Sequence, residues 1–183
     1  MYTALAQSMY SDALWPALER ALADAVKGNG AGLLKLYDDY YQRKPGGTYG
    51  NELEAFLAIS CLDDPGPTSV AAVDEQIPVF TDAAKRFGKS FAYGYSCALW
   101  PIPQVQRLEI TGKGAGPIVV IGTTGDAATP IESSRNAAKA LEGGIFLTVT
   151  ADQHTGYGLN KCVVSAVDRY LIDRTPPPIG KVC

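Results

Sequence analysis

Apolar residues follow two different patterns in this sequence, and the pattern changes near residue 110. Before that point they recur every three or four positions, which is the spacing of helices that bury one face. Helices are predicted over residues 13–26, 31–41, 51–63 and 69–87, and Pro78 is expected to kink or divide the last of them. No segment of this half predicts a strand, so residues 1–110 are expected to be mostly helical.

Each of these predicted helices has a face that we expect to be buried, because its apolar side chains line up at helical spacing. The positions are Leu14, Leu18, Ala21, Leu22 and Ala25 in the first helix, Leu33, Leu36, Tyr37 and Tyr40 in the second, Leu53, Phe56, Leu57 and Ser60 in the third, and Val70, Val73, Ile77, Phe80 and Ala84 in the fourth.

After residue 110 the pattern is that of strands and helices in alternation. Residues 117–122 (PIVVIG) and 145–149 (IFLTV) are short apolar runs with β-branched residues, as expected of strands covered on both faces. Helical patterns follow each run, and Thr129, Pro130 and Glu132 predict a capping box at the start of the first. The order strand, helix, strand, helix predicts two parallel strands joined by a right-handed crossover.

The two loops that follow these strands carry candidate chemistry. They are TTGDAATP, which contains Asp126, and TADQHTGYG, which contains His154, the only histidine of the chain. Because the carboxyl ends of parallel strands meet at one edge of a sheet, where open α/β sheets bind ligands, we expect the two loops to be neighbours.

Asp126 and His154 suit two of the three roles in a hydrolase triad. A carboxylate that accepts a hydrogen bond from one imidazole nitrogen leaves the other nitrogen free to act as a general base. Their order along the chain is also that of the α/β-hydrolases. The alternative is a loop aspartate that only caps backbone groups, beside an exposed histidine with no catalytic role.

A nucleophile is harder to find. The sequence contains no G-x-S-x-G, and the nearest imitation is GYSCA around Ser96, which does precede Asp126. A nucleophile elbow needs a strand before the serine and a helix after it, and two prolines follow Ser96 within seven residues. Ser96 is therefore a weak candidate, and a small esterase that uses it is retained only as an alternative.

Composition and charge narrow the range of partners. Hydrophobic residues make up 46% of the 183 residues and charged residues 19%, which is typical of a folded domain. A net charge of −3 without a basic cluster argues against nucleic acid or an anionic membrane surface as partner. No apolar run approaches the length of a membrane span, and the amino-terminal residues do not have the features of a signal peptide.

The four cysteines, Cys61, Cys97, Cys162 and Cys183, include no C-x-x-C pair. A zinc site would have to be assembled from scattered residues, so we expect no metal and no cofactor. Two disulfides suit the wide spacing better, with sequential pairing the simplest, and they imply an oxidising compartment. Four buried free thiols are the alternative.

Several of these motifs together resemble the carboxyl-terminal domain of the tripeptidyl-aminopeptidase-like α/β-hydrolases, serine peptidases of the prolyl aminopeptidase type. The motifs are the apolar strand followed by G-x-x-x-D-x-x-T-P, the histidine loop, Cys-Val ahead of a helix, and a final Pro…Gly…Cys. AISCLD at 58–63 and SCALWP at 96–101 resemble the cap of the same family, so the similarity covers nearly the whole chain. Gln153, where the family usually has glycine, and Thr155 are departures from its pattern.

This resemblance implies a fold, a site and an activity. The fold is a partial α/β-hydrolase core, made of the last two parallel strands with their helices in residues 111–183, preceded by a helical cap in residues 1–110. Asp126 matches the triad acid and His154 the triad base. Cys61 matches the partner of Cys97, and Cys162 that of Cys183.

The implied activity is that of a secreted or cell-envelope serine exopeptidase that releases short peptides from N-termini, or of a related esterase. The oxyanion loop and the nucleophilic serine lie upstream of the matched part of the family. We therefore expect the amino-terminal half of the hydrolase core as a partner, in addition to a peptide or ester substrate. The alternative is a non-catalytic remnant that acts as a binding or interaction module.

Overall fold

The computed structural model describes residues 1–63, 66–92, 94–103, 105–106 and 108–183. In order along the chain, their elements are α1 (Tyr2–Ser8), α2 (Trp15–Val26), α3 (Ala31–Tyr40), α4 (Glu52–Asp63), α5 (Val70–Ala83), α6 (Gly94–Ala98), β1 (Ile118–Thr123), α7 (Ile131–Ala140), β2 (Gly144–Val149) and α8 (Lys161–Asp173). The predicted fold class is confirmed: a mostly helical part precedes two parallel strands, each followed by a helix.

The chain divides into two compact units. One consists of Met1–Tyr2 and Tyr37–Leu108, and the other of Thr3–Leu36 and Glu109–Cys183. Residues 3–36 therefore cluster with the strands, although the apolar pattern groups them with the other helices of residues 1–110. That this helical region acts as a cap stays a prediction.

The first unit, Met1–Tyr2 with Tyr37–Leu108, buries fewer of the predicted positions than expected. In α4, Leu53 is 42% exposed and Phe56 is 65% exposed, although both were predicted to be buried. Its apolar residues are spread around the helix instead of along one side, so residue spacing could not identify the face that packs. Its buried residue is Cys61, which forms a disulfide with Cys97 of α6.

The next helix, α5, buries Val73 of its predicted face, whereas Val70 and Phe80 are exposed. Pro78 was expected to kink or divide this segment, and division is wrong, because Pro78 lies inside one continuous helix, Val70–Ala83; a kink stays a prediction.

In the strand-bearing unit, β1 and β2 pair in parallel with Ile118 opposite Gly144 and Thr123 opposite Val149. Val163 and Val167, one turn apart on α8, pack with Leu147 and Val149 of β2 in a buried cluster. The last residues of the chain extend this small sheet, since the Cys183 N–H donates to the Thr148 carbonyl over 2.8 Å.

A second buried cluster belongs to the same unit and joins its three amino-terminal helices. It consists of Ala4 of α1, Leu18 and Ala21 of α2, and Leu36 of α3. Ala21 packs directly on the backbone of α3, because a Cβ placed on Gly32 would lie only 2.8 Å from the Ala21 Cβ. No helix in the described part of the chain is long and apolar enough to cross a membrane.

Candidate active site

Asp126 and His154 lie in direct contact at the carboxyl edge of the two strands. The Nδ1 atom of His154 is 3.1 Å from Oδ1 and 3.0 Å from Oδ2 of Asp126. The side chain of Asp126 is 3% exposed and that of His154 27% exposed. The acid is therefore enclosed by protein, whereas part of the imidazole faces outwards.

Asp126 accepts hydrogen bonds from its own loop and from the histidine loop. Oδ1 accepts from the backbone N–H groups of Ala128, over 2.9 Å, and Thr129, over 2.8 Å. Oδ2 accepts from the Thr129 hydroxyl over 2.8 Å and from the Thr155 N–H over 3.2 Å. With His154 included, every donor stabilises the ionised carboxylate.

These hydrogen bonds decide the charge of Asp126. Burial raises the pKa of the carboxyl group, because the ionised form loses solvation. The donors from Thr129, Thr155 and His154 act in the opposite direction, outweigh burial and lower the pKa from 3.8 to about 2. Asp126 is thus an anion at neutral pH and acts only as an acceptor, so the proton on His154 must lie on Nδ1.

The capping box predicted for α7 does not form. Pro130 is the N-cap of α7 and provides no side-chain hydrogen bond, whereas Thr129 uses both its N–H and its hydroxyl on Asp126. The carboxylate competes successfully for the hydroxyl because a charge-assisted hydrogen bond is stronger than a neutral one. Thr129 is therefore part of the site rather than a helix cap.

Hydrogen bonds join the first loop to the start of the second. The hydroxyl of Thr124 accepts from the Ala151 N–H over 3.1 Å, and the Gly125 N–H donates to the Ala151 carbonyl over 2.9 Å. A Cβ on Gly125 would lie 2.9 Å from the Cα of Asp152. Glycine is required beside Asp126 because the two backbones approach too closely for a side chain.

Two further residues shape the histidine loop. Thr155 has a φ of 69°, in the left-handed region that β-branched residues rarely adopt. That conformation accompanies the donation of its N–H to Asp126. Gly156 packs so closely on the strands that a Cβ there would lie 2.7 Å from Ile121 and 2.9 Å from Val149.

Gly122, the first residue of the G-x-x-x-D-x-x-T-P motif, has a packing role. A Cβ at this position would lie 2.8 Å from the ring of Phe146 and 3.0 Å from the Cβ of Ser134. The motif therefore combines a close contact between β1 and α7 with the acid, its donor and the N-cap proline.

The free nitrogen of the imidazole is available for proton transfer. With Nδ1 held by Asp126, no hydrogen-bond partner for Nε2 is found among the described residues. A neutral imidazole in this tautomer carries its lone pair on Nε2 and can accept a proton there, while the carboxylate stabilises the positive charge that results.

The remaining predicted residues lie elsewhere in the chain. Ser96 is inside the short helix α6 rather than at a turn between a strand and a helix. Cys61 is joined to Cys97, and Cys162 to Cys183. Within the described residues, no cluster of three histidine, cysteine, aspartate or glutamate side chains could hold a metal ion.

A surface groove of about 600 Å³ lies between α8 and the proline-rich segment that follows it. Lys161, Arg169 and Pro177 are among its lining residues, and neither loop of the Asp126–His154 pair contributes to it. The groove is therefore separate from the candidate site.

A parallel strand–helix–strand–helix unit, with a buried acid after the first strand and a histidine after the second, defines this part of the chain as α/β-hydrolase core. A family model described as TAP-like protein matches residues 83–183, which is more than half of the chain. The chain belongs to this family of α/β-hydrolases.

Curated relatives include both peptidases and an esterase. Carboxylesterase B of Mycobacterium tuberculosis is 35% identical over 195 residues, which cover 99% of this chain and 36% of the relative. Serine protease Hip1 of the same species is 33% identical over 186 residues, covering 96% and 35%. Tripeptidyl aminopeptidase of Streptomyces lividans is 26% identical over 168 residues, covering 89% and 31%. The chain spans about a third of the length of these relatives.

Proposed function

We propose that this chain supplies the acid and the base of a serine hydrolase, with Asp126 orienting His154 and His154 transferring protons. The serine nucleophile comes from hydrolase sequence outside these 183 residues. The observation that carries the proposal is the contact of both Asp126 oxygens with Nδ1, at 3.1 and 3.0 Å, while Nε2 stays available.

In the proposed reaction, Nε2 of His154 accepts the proton of the serine hydroxyl as the oxygen attacks the carbonyl carbon of the substrate. The same nitrogen then returns the proton to the leaving group as its bond to the carbonyl carbon breaks, which leaves an acyl-serine. Water hydrolyses the acyl-serine in a second step, in which Nε2 accepts a proton of the water and returns it to the serine oxygen. The ionised Asp126 stabilises the imidazolium that forms in each step. A carboxyl group with a pKa of about 2 remains ionised throughout this cycle at neutral pH.

Two observations support an external serine. The 183 residues contain no G-x-S-x-G, and they correspond to about a third of the length of the relatives. In the described residues, β1 pairs with β2 alone, so the other edge of β1 has backbone groups without a strand partner. A further strand of the hydrolase core at this edge would satisfy them. We therefore propose the amino-terminal half of the core as partner.

The substrate is an acyl compound, either a peptide with a free amino terminus or an ester. The names of the relatives include a tripeptidyl aminopeptidase and a serine protease, which favours peptide hydrolysis. Ester hydrolysis is the second candidate, because a relative at 35% identity is named a carboxylesterase. Both reactions use the same acid and base, and the helical region of residues 1–110 would cover the site and select the substrate.

We also propose that the protein works outside the cytoplasm, in a secreted or cell-envelope location. All four cysteines are in disulfides, and disulfides persist in oxidising compartments.

A chimera tests the proposal. The matched region of the Mycobacterium tuberculosis carboxylesterase B is replaced by this chain, which leaves the serine to the relative. We expect hydrolysis of p-nitrophenyl esters or of tripeptide anilides, and the ratio of the two rates decides between ester and peptide. His154→Ala should lower kcat by roughly a thousandfold or more, because the remaining groups supply little of the catalysis.

The companion experiment treats the unmodified chain with a fluorophosphonate probe and measures its intact mass. No adduct is expected from the chain alone. An adduct at Ser96 that His154→Ala abolishes would show a complete small esterase and contradict the external serine. A folded chimera that hydrolyses nothing would favour a non-catalytic binding module instead.

A further inference from the structure

The histidine loop contacts a second part of the chain besides the Asp126 loop. The N–H of His154 donates to the carbonyl of Tyr10 over 3.1 Å, and the two rings meet edge to face with centroids 4.8 Å apart. Beside them, the amide of Gln153 donates to Oδ1 of Asp12 over 3.2 Å. Residues 10–12 thus contact the histidine loop at three points: the backbone N–H of His154, its ring, and the side chain of Gln153.

Residues 10–12 are themselves firmly anchored. They follow α1, whose Ala4 and Ser8 are fully buried and joined by a hydrogen bond from the Ser8 hydroxyl to the Ala4 carbonyl, 2.9 Å long. Ser11 caps the short 3-10 helix Asp12–Leu14, since its side chain accepts from the Ala13 N–H. The segment therefore connects the histidine loop to the core of the amino-terminal helices.

The contacts with residues 10–12 restrain movement of the histidine loop and rotation of the imidazole, which the hydrogen bond to Asp126 alone would permit. A hydrogen bond to Nδ1 fixes one edge of the imidazole, but His154 sits in a loop outside any helix or strand. Successive N–H groups of this loop point to different supports: that of His154 to Tyr10, and that of Thr155 to Asp126. The Tyr10 ring then limits rotation of the imidazole, so that the direction of Nε2 is defined.

We propose that residues 10–12 are a positioning element for His154, in which Tyr10 fixes the backbone and ring of the histidine and Asp12 fixes the loop through Gln153. None of these residues needs to touch the substrate. The effect on turnover rests on the proposed function, whereas the effect on the geometry of His154 does not.

Nuclear magnetic resonance can test the geometry directly, because His154 is the only histidine and gives a single set of imidazole signals. Hydrogen exchange of the His154 amide reports its bond to Tyr10, and the imidazole ¹⁵N shifts report which nitrogen carries the proton. Tyr10→Leu removes the ring contact, and Tyr10→Phe keeps it. Gln153→Glu places a carboxylate opposite Asp12, and the double variant Asp12→Asn/Gln153→Glu restores an amide–carboxylate pair in reverse.

In Tyr10→Leu, which loses the ring contact, and in Gln153→Glu, which loses the side-chain hydrogen bond to Asp12, we expect the His154 amide to exchange roughly three- to tenfold faster. The imidazole signals should shift or broaden in both. Tyr10→Phe, which keeps the ring contact, should have a smaller effect than Tyr10→Leu, and the double variant should behave like the original protein. Gln76→Glu, which adds the same charge at an exposed position of α5, is the matched control and should change nothing.

Unchanged exchange and unchanged imidazole signals in both Tyr10→Leu and Gln153→Glu would overturn the positioning role. Since Gln153 and Asp12 are not core residues, Gln153→Glu keeps the test valid if Tyr10→Leu fails to fold. In the active chimera, Gln153→Glu should lower kcat severalfold and leave KM within about twofold. If the chimera has no activity, the proposed function fails, but the exchange and the ring signals still decide the role of residues 10–12.

Discussion

Thr129 binds the carboxylate of Asp126 at both oxygens, with its N–H on Oδ1 and its hydroxyl on Oδ2, each over 2.8 Å. The same carboxylate holds Nδ1 of His154. A residue at the start of a helix thereby fixes the acid that orients the candidate base. Asp126 is ionised as a consequence of this arrangement, and its ionisation should affect both the stability of the fold and its dependence on pH.

The first prediction concerns Asp126→Asn and pH. The folded protein has a pKa of about 2 for Asp126, below the ordinary 3.8, so ionised Asp126 stabilises the fold above pH 4. The side chain is 3% exposed, and the shift corresponds to about 2 kcal/mol of stability at neutral pH. This contribution is lost progressively as pH falls from about 5 to about 1. Urea unfolding should show Asp126→Asn less stable at pH 7 by about that amount, with most of the difference gone at pH 2 and the rest lost below it.

Glu19→Gln provides the matched control for this experiment, because Glu19 is exposed on α2. Its unfolding free energy should stay within about 0.5 kcal/mol of the original protein. If Asp126→Asn differed from the original protein equally at pH 7 and pH 2, ionisation of Asp126 would not be the source of the stability.

The second prediction separates the hydroxyl of Thr129 from its backbone. Thr129→Val removes one donor to Oδ2 and keeps the N–H donor to Oδ1. The pKa of Asp126 should rise, because one of the groups that stabilise the carboxylate is gone, and stability at neutral pH should fall by about 1 kcal/mol. Thr129→Ser retains the hydroxyl and should titrate like the original protein. The ¹³C shift of the Asp126 carboxyl, followed against pH, measures both variants.

The third prediction concerns the close packing under the histidine loop. In Gly156→Ala the new Cβ would lie 2.7 Å from the Ile121 side chain and 2.9 Å from that of Val149, so the loop must move. We expect a loss of about 1–3 kcal/mol and a weaker contact between Nδ1 and Asp126. Gly30→Ala is the control, since no atom lies within 4 Å of its Cβ position. A Gly156→Ala protein with unchanged thermal unfolding and imidazole signals would refute this account of the loop.

The sequence predicted the main parts of the site because their signals are local. The β-branched strands, the two loops and the order of Asp126 and His154 can be read within short windows. The role of Thr129 could not, since a Thr-Pro pair before a helix predicts an N-cap, and only the spatial position of the carboxylate shows where the hydroxyl points. An aspartate three residues before such a pair is the signal that could have revealed it.

Other features escaped prediction because they depend on distant contacts. Asp12 and Gln153 are 141 positions apart, and nothing in either neighbourhood indicates that they meet. Similarly, the apolar residues of α4 are spread around the helix, so the exposure of Phe56 follows from packing rather than from residue spacing. Long-range placement, rather than the type of local structure, limited what the sequence could establish.

The fourth prediction concerns the disulfide between Cys162 and Cys183. It links the first turn of α8 to the end of the chain, where the Cys183 N–H donates to Thr148 of β2. The cysteines are 21 positions apart, and removing a cross-link that closes a loop of that size lowers stability by about 3 kcal/mol, because the unfolded chain gains entropy. In Cys162→Ser/Cys183→Ser we therefore expect a lower Tm, because residues 181–183 lose their link to α8. Hydrogen exchange of the backbone amide at position 183 should be faster for the same reason. The backbone N–H donors to Asp126 belong to the two loops that follow β1 and β2, not to residues 181–183, and should keep their exchange rates. Equal acceleration throughout the unit would mean that the disulfide stabilises the whole fold rather than this edge of the sheet.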